Sequence, residues 1–286
     1  MRSLLFALVA TAIPFSALAQ DVTPFADISR LVTIGGSLTE IVYELGAAES
    51  LVARDSTSTF PPEATSLPDV GYMRALSPEG VLSVEPSAIL MLEGAGPLDA
   101  VEVLQAASVP IVSVPETHDA EGVAIKVEMV GAALGLVDEA AALKARIAAE
   151  FAAVDALTAS LPERRRVLFI LSMEGGRINA AGTGTAADGI IALAGAENAI
   201  TDYQGYRQLT EEAIITANPD IILMMDRGGD HAASNDELLD HPALSLTTAG
   251  RNGAVIRMEG EYLLGFGPRT AEAARDLSEA IYGGGN

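Results

Sequence analysis

The chain has 286 residues, 49% of them hydrophobic and 20% charged. That balance excludes a disordered polymer and leaves one large or two medium globular domains. A formal net charge of −22 and the absence of cysteine argue against nucleic acid and anionic membrane partners, disulfide staples, thiolate metal sites and a lipid-modified cysteine.

The chain opens "MRSLLFALVATAIPFSALAQD". Arg2 gives a positive start, residues 4–13 an apolar run, Pro14 a break, and Ala17-Leu18-Ala19 a small-x-small cleavage site. Residues 1–19 therefore read as a signal peptide cut after Ala19. The run is shorter than the roughly 20 residues that span a bilayer. The mature protein is expected in the bacterial periplasm, not embedded in a membrane.

"RLVTIGG" (residues 30–36) reads as a strand ending in glycines, and "SLTEIVYELG" as a helix. Ser37 as N-cap, Glu40 three residues on and Gly46 as stop suggest a capping box. "SLVAR", "SAILML" and "VPIVSVP" are further strands, with helices over residues 98–107 and 120–134. The alternation implies parallel α/β packing. Next, Leu143, Ile147, Phe151, Val154, Leu157 and Leu161 recur every three or four residues. They mark one amphipathic helix, about 30 Å long at 1.5 Å per residue. Pro162 ends it. The alternation then restarts with "VLFILS", "TAADGIIALAG", "PDIILMM", "GAVIRM" and a closing helix. The expected fold is α/β: two Rossmann-like lobes joined by one long rigid helix, with a cleft between them. The divisions are 1–19 signal, 20–136 first lobe, 137–162 connecting helix and 163–286 second lobe.

"RALSPEGVLSVEPSAILM" from Arg74 and "RQLTEEAIITANPDIILM" from Arg207 align without a gap. Ser77 matches Thr210, Glu79 matches Glu212, and Pro86 matches Pro219. The lobes read as two versions of one unit. Ser77 and Thr210 suit helix caps, and Glu79 and Glu212 fall in the first turn, where a carboxylate suits the helix dipole. Tyr72 has no counterpart, since Gly205 stands in its place. From the residues alone, a packing aromatic and a ligand donor are equal readings of Tyr72.

The stretches "VTIGGSLTEIVYELG", "DVGYMRALSPEGVLSVEPS", "AAGTGTAADGIIALAGAENA", "YRQLTEEAIITANPD" and "HPALSLTTAGRNGAVIRM" cover nearly the whole mature chain. Together they resemble periplasmic substrate-binding proteins of bacterial ABC importers, in the class of cobalamin and siderophore carriers. Within it they look most like the haem carriers. The resemblance implies capture of one ferric haem b (Fe(III) protoporphyrin IX) between the lobes, with Tyr72 as the iron ligand. It also implies docking of Glu79 and Glu212 on arginines of an ABC permease dimer served by a cytoplasmic ATPase. A monomer is expected, and an enzyme is not.

The chemistry agrees with the resemblance. Tyrosine is an attested haem ligand, and its phenolate is a hard donor for ferric iron. A free phenol titrates near about 10, so the ferric ion and a neighbouring cation must help. Arg74 can supply that charge or pair with a propionate. By position, Tyr206, Arg207 and Arg227 are further second-lobe contacts. Some relatives have a histidine after the first strand of the second lobe, where this chain has Met173 and Glu174. A packing role suits Met173 better than ligation, which leaves five-coordinate iron. His118 and His231 read as solvated loop residues, and His241 as structural. The alternatives are the same fold carrying a corrinoid, ferric siderophore or metal ion and, more remotely, an enzyme in the cleft. No nucleophile elbow, phosphate loop or zinc-protease helix supports the last.

Overall fold

The computed structural model describes residues 22–226 and 233–283. The proposed signal, Arg227 and His231 lie outside the described residues. β1 (Leu31–Ile34), β2 (Leu51–Arg54), β3 (Ala88–Leu92) and β4 (Ile111–Val114) form a parallel sheet in the order β2-β1-β3-β4. Four helices accompany it: α1 (Gly36–Glu44), α2 (Pro78–Leu82), α3 (Leu98–Ala106) and α4 (Ala120–Leu134). α4 begins where the Asp119 carboxylate accepts from Gly122 N at 2.7 Å and ends at Gly135, whose φ is 73°. These are an N-cap and a left-handed C-terminal stop.

α5 (Val137–Ala159) runs for 23 residues. It buries Ala140, Leu143, Ile147, Phe151 and Val154. Leu157, read as part of the same stripe, is instead 40% exposed, because the helix end borders an open groove with Glu150, Pro268 and Arg275. The second lobe holds β5 (Arg166–Glu174), β6 (Arg177–Ala181), α6 (Ala186–Leu193), β7 (Glu197–Asn198), β8 (Tyr206–Gln208), α7 (Glu211–Ala217) and β9 (Ile221–Asp226). α8 (Asn235–Leu239), α9 (Thr248–Asn252), β10 (Val255–Glu259), α10 (Gly260–Leu264) and α11 (Thr270–Tyr282) complete it.

The second sheet runs β10-β9-β5-β6-β8, with β7 also on β5. It is not wholly parallel. Gly175 and Gly176, both at positive φ, turn the chain back so that β6 pairs antiparallel with β5, and β8 antiparallel with β6. The apolar runs "VLFI" and "IILM" lie side by side, Val167 against Ile221 through Ile170 against Met224. Alternate residues point to opposite faces. Val167, Phe169, Ile221 and Leu223 join a core shared with the first lobe and α5. Leu168, Ile170, Ile222 and Met224 join a second cluster on the outer face. Burial on both faces is why these strands read as unbroken hydrophobic runs.

The internal repeat is visible in the backbone. Ser77 and Thr210 both cap their helices, accepting from Gly80 N and Ala213 N. Glu85 and Asn218, at matching positions before proline, share a left-handed backbone with φ of 48° and 37°.

The capping box expected at α1 is not formed. The helix starts two residues early, with Gly35 rather than Ser37 in the N-cap position and no side-chain cap. Glu40 is instead 3% exposed and pairs with Arg269 of the second lobe, Oε2 to Nη2 at 3.1 Å, while Oε1 accepts from Arg269 N at 3.1 Å. A carboxylate deep in the fold gains more from a guanidinium than from a helix end. Nearby, Lys126 is fully buried. Its ammonium donates to Glu116 Oε1 at 2.5 Å and, across the lobes, to Phe266 O at 3.1 Å. Burial pushes its pKa down, and Glu116 opposes the shift.

Two stability predictions follow from this packing. Gly131→Ala puts a Cβ 2.3 Å from that of Ala140, so α4 and α5 must separate; urea denaturation should register a loss on the order of 1–3 kcal/mol. Glu116→Gln strips a buried ammonium of its counter-charge, at about 3–5 kcal/mol. Lys126→Met should cost less in the same assay, because Glu116 retains access to water.

Candidate ligand-binding site

The loops that follow β1 through β4 leave the C-terminal edge of the first sheet and face the second lobe. In open α/β sheets this edge is where ligands bind. Gly71, at φ 103°, leads into a turn in which Ala75 N donates to Tyr72 O at 2.8 Å. The segment is held on both sides. Ser56 N donates to Gly71 O at 2.9 Å, and Gly96 N to Met73 O at 2.8 Å. Met73 sinks into the core, leaving Tyr72 and Arg74 outward on either side of it. Tyr72 is 47% exposed, unusual for a tyrosine that only packs. The Arg74 guanidinium passes Gly94, where an added Cβ would stand 3.9 Å from Nη1.

The opposite wall comes from the second lobe. Tyr206 lies on β8, and its phenol engages the Thr185 hydroxyl and the Ala187 amide at the start of α6. Burial pushes this phenol's pKa up; Thr185, Arg74 and Ala187 pull the other way, and Tyr72 adds to the rise. Tyr72, Arg74 and Tyr206 are therefore close enough to interact although they come from different lobes. β8 holds Tyr206 in a paired strand, whereas Tyr72 stands on a turn.

At the inner end of the cleft, His118 is half-buried rather than solvated. Its ring meets Phe266 edge-on at 5.1 Å, and its carbonyl abuts Gly189 of α6. Burial lowers its pKa against the pull of Glu116, with Lys126 and Arg74 adding to the fall. Its role was invisible in the sequence because Phe266 and Gly189 are far away along the chain. His241 is structural, as expected: its Nδ1 accepts from Ala243 N, and Nε2 bonds to Gly176 O at 3.0 Å.

The other predicted residues are more scattered. Arg207 stacks over Tyr203 at 5.1 Å; as Tyr206's neighbour on a strand, it points to the opposite face. Met173 packs against the outer cluster of the second lobe. Glu79 and Glu212 are exposed in the first turns of α2 and α7. No group of histidine and acidic side chains suited to holding a bare metal ion occurs among the described residues. The cleft thus combines a free phenol, a guanidinium and a facing, anchored aromatic ring. That set suits a flat ligand carrying a hard metal centre and acidic substituents.

Comparison with known proteins places this cleft in a lineage. The periplasmic heme-binding protein BhuT, solved in complex with two hemes, is 38% identical over 88% of this chain and 97% of its own, with a TM-score of 0.84. The periplasmic heme-binding protein RhuT from Roseiflexus sp. RS-1, solved in apo form, is 37% identical over 89% of this chain and 98% of its own, with a TM-score of 0.85. An uncharacterized ABC transporter substrate-binding lipoprotein of Bacillus subtilis, YvrC, is 28% identical over 92% of this chain and 83% of its own length. A vitamin B12-binding protein of Vibrio campbellii is 24% identical over 87% of this chain and 88% of its own. The family model for periplasmic binding proteins matches residues 31–262, which takes in both sheets, the long helix and both walls of the cleft, and the chain belongs to that family.

Proposed function

We propose that this protein captures ferric haem between its lobes and delivers it to an inner-membrane ABC permease. The observation that carries the reading is that Tyr72 and Arg74 stand exposed on the turn after β2, near enough to the Tyr206 phenol of the other lobe to act on it electrostatically, in a chain 37–38% identical to heme-binding proteins. Tyr72 supplies a phenolate to the iron, and coordination displaces the phenol proton. Arg74, two residues on and also exposed, supplies the positive charge that pairs with that phenolate or with a propionate. Tyr206 offers its ring to the macrocycle while Thr185 and Ala187 occupy its hydroxyl. The cargo is haem b, one per chain, and the protein acts as a monomer outside the cytoplasm. The family consists of binding proteins, so the cleft serves for capture and release rather than turnover.

Delivery follows from the repeat. Glu79 and Glu212 stand at matching, exposed places on the two lobes, so a two-fold permease can receive one on each subunit. Exposed carboxylates of this kind steer encounter and fix register more than they add affinity.

Hemin titration of Tyr72→Phe tests the ligand. The variant keeps the ring and loses the oxygen donor, so the high-spin ferric tyrosinate bands should vanish and affinity should fall at least about tenfold, or about 1.4 kcal/mol. An unchanged spectrum would reject Tyr72 as the donor, and cobalamin binding tighter than hemin would favour the corrinoid reading. For delivery, Glu79→Lys and Glu212→Lys should each leave hemin affinity intact and slow uptake into vesicles bearing the permease. The double variant should abolish it, since juxtaposed like charges cost several kcal/mol.

A further inference from the structure

Beside the cleft, the lobes meet at a polar seam that the capture mechanism does not use. Glu261, in the first turn of α10, reaches from the second lobe into the loops of the first. Its Oε2 accepts from Thr59 N at 2.7 Å and from the Thr59 hydroxyl. Its Oε1 is buried with no hydrogen-bond partner. A Cβ added to Gly36 would stand 2.4 Å from that oxygen and 2.8 Å from Thr57 O. The orphaned carboxylate oxygen and a backbone carbonyl thus border the same point, and only glycine leaves room for both.

As a carboxylate, Oε1 is buried with no donor facing it. As a carboxylic acid it can donate, and Thr57 O borders the same point beside Gly36. The charged groups facing Glu261 are Glu40 from α1, which opposes ionisation, and Arg269 from the turn before α11, which favours it. Arg269 is already engaged, bonding to Glu40 and covering the Phe60 ring at 3.5 Å. Asp55, behind Thr57, accepts from Gly35 N, Thr57 and Ser58. On its own element, the Glu259 carboxylate is occupied by Glu261 N and Tyr262 N. Burial, opposed by the Thr59 donors, raises the Glu261 pKa to about 7.

We propose that Glu261 is a proton-operated latch between the lobes: protonated, it bridges Thr59 and Thr57 of the first lobe and holds the seam shut; ionised, it loosens the seam. When the lobes part, the carboxyl returns to water and to a value near 4.5. The docked state therefore holds a proton that the parted state releases. Docking is strongest below about pH 4.5, weakens by up to about tenfold per unit as pH rises from there to about 7, and levels off above it, where both states are ionised. The latch requires no haem, so its test is separate from that of the cargo.

The chain has no cysteine, so paired spin labels can be introduced cleanly at Gln105→Cys on the first lobe and Thr216→Cys on the second. Both positions are exposed. Distances are measured on the ligand-free protein by double electron–electron resonance at about pH 6 and about pH 8.5, in the parent chain and in Glu261→Gln. The neutral amide keeps both bonds, donating to Thr57 O and accepting from Thr59. In the parent chain, the share of pairs at the longer distance of a modestly parted seam should rise several-fold at the higher pH. Glu261→Gln should keep the narrow distribution at both. Distances independent of pH in the parent chain, or the same pH response in Glu261→Gln, would overturn the latch.

Discussion

The two lobes are not separate bodies on a tether, because one apolar core runs through both. Leu143, Ile147, Phe151 and Val154 of α5 lie in the same buried cluster as the first sheet's β1 and β3 and the inner face of the second sheet. Opening the lobes widely would expose part of that cluster, at about 25 cal/mol for each Å² of apolar surface uncovered. The long helix is thus part of the core as well as a connector. The cleft depends on this, since Tyr72 and Arg74 of one lobe stay within electrostatic reach of Tyr206 of the other only while the core keeps the lobes in register.

On the cleft side, the seam between the lobes is polar. Glu40 with Arg269, Lys126 with Phe266 O, and Thr59 with Glu261 all cross it. Buried ionic contacts stabilise little beyond a hydrophobic substitute, but they tolerate few alternative geometries. An apolar core with a polar seam suits a clamp that closes modestly and always the same way. At His118 the charges of Lys126 and Arg74 are set against those of Glu116 and Asp119.

Much of the fold was legible because local physics agrees with it. α4 begins and ends at the residues its cap and its glycine dictate, and the unbroken runs "VLFI" and "IILM" are strands buried on both faces. The capping box at α1 misled, because Ser37 and Glu40 have the right spacing for a local bond that a tertiary partner overrode. The β5–β6 hairpin was missed, as "MEGGRINAA" has too little alternation to announce a strand reversal. Among the residues proposed for the cleft, motif and asymmetry drew attention to Tyr72 and Arg74, and position alone to Tyr206. Arg207 looked equivalent to Tyr206 in sequence, but strand pairing turned it to the other face.

The sequence by itself determined the α/β alternation, the long helix, the duplicated unit with its matched glutamates, and the absence of a tyrosine at the position in the second unit that matches Tyr72. These are local or repeat-level properties, written in spacings of two, three and four residues and in direct self-similarity. Only the tertiary structure decided which side chains meet across the lobes: Glu40 with Arg269, His118 with Phe266, and Glu261 with the Thr59 loop. Those encounters join residues far apart in the chain, and a carboxylate's choice between a helix end, a guanidinium or a proton is fixed by the burial that folding imposes on it.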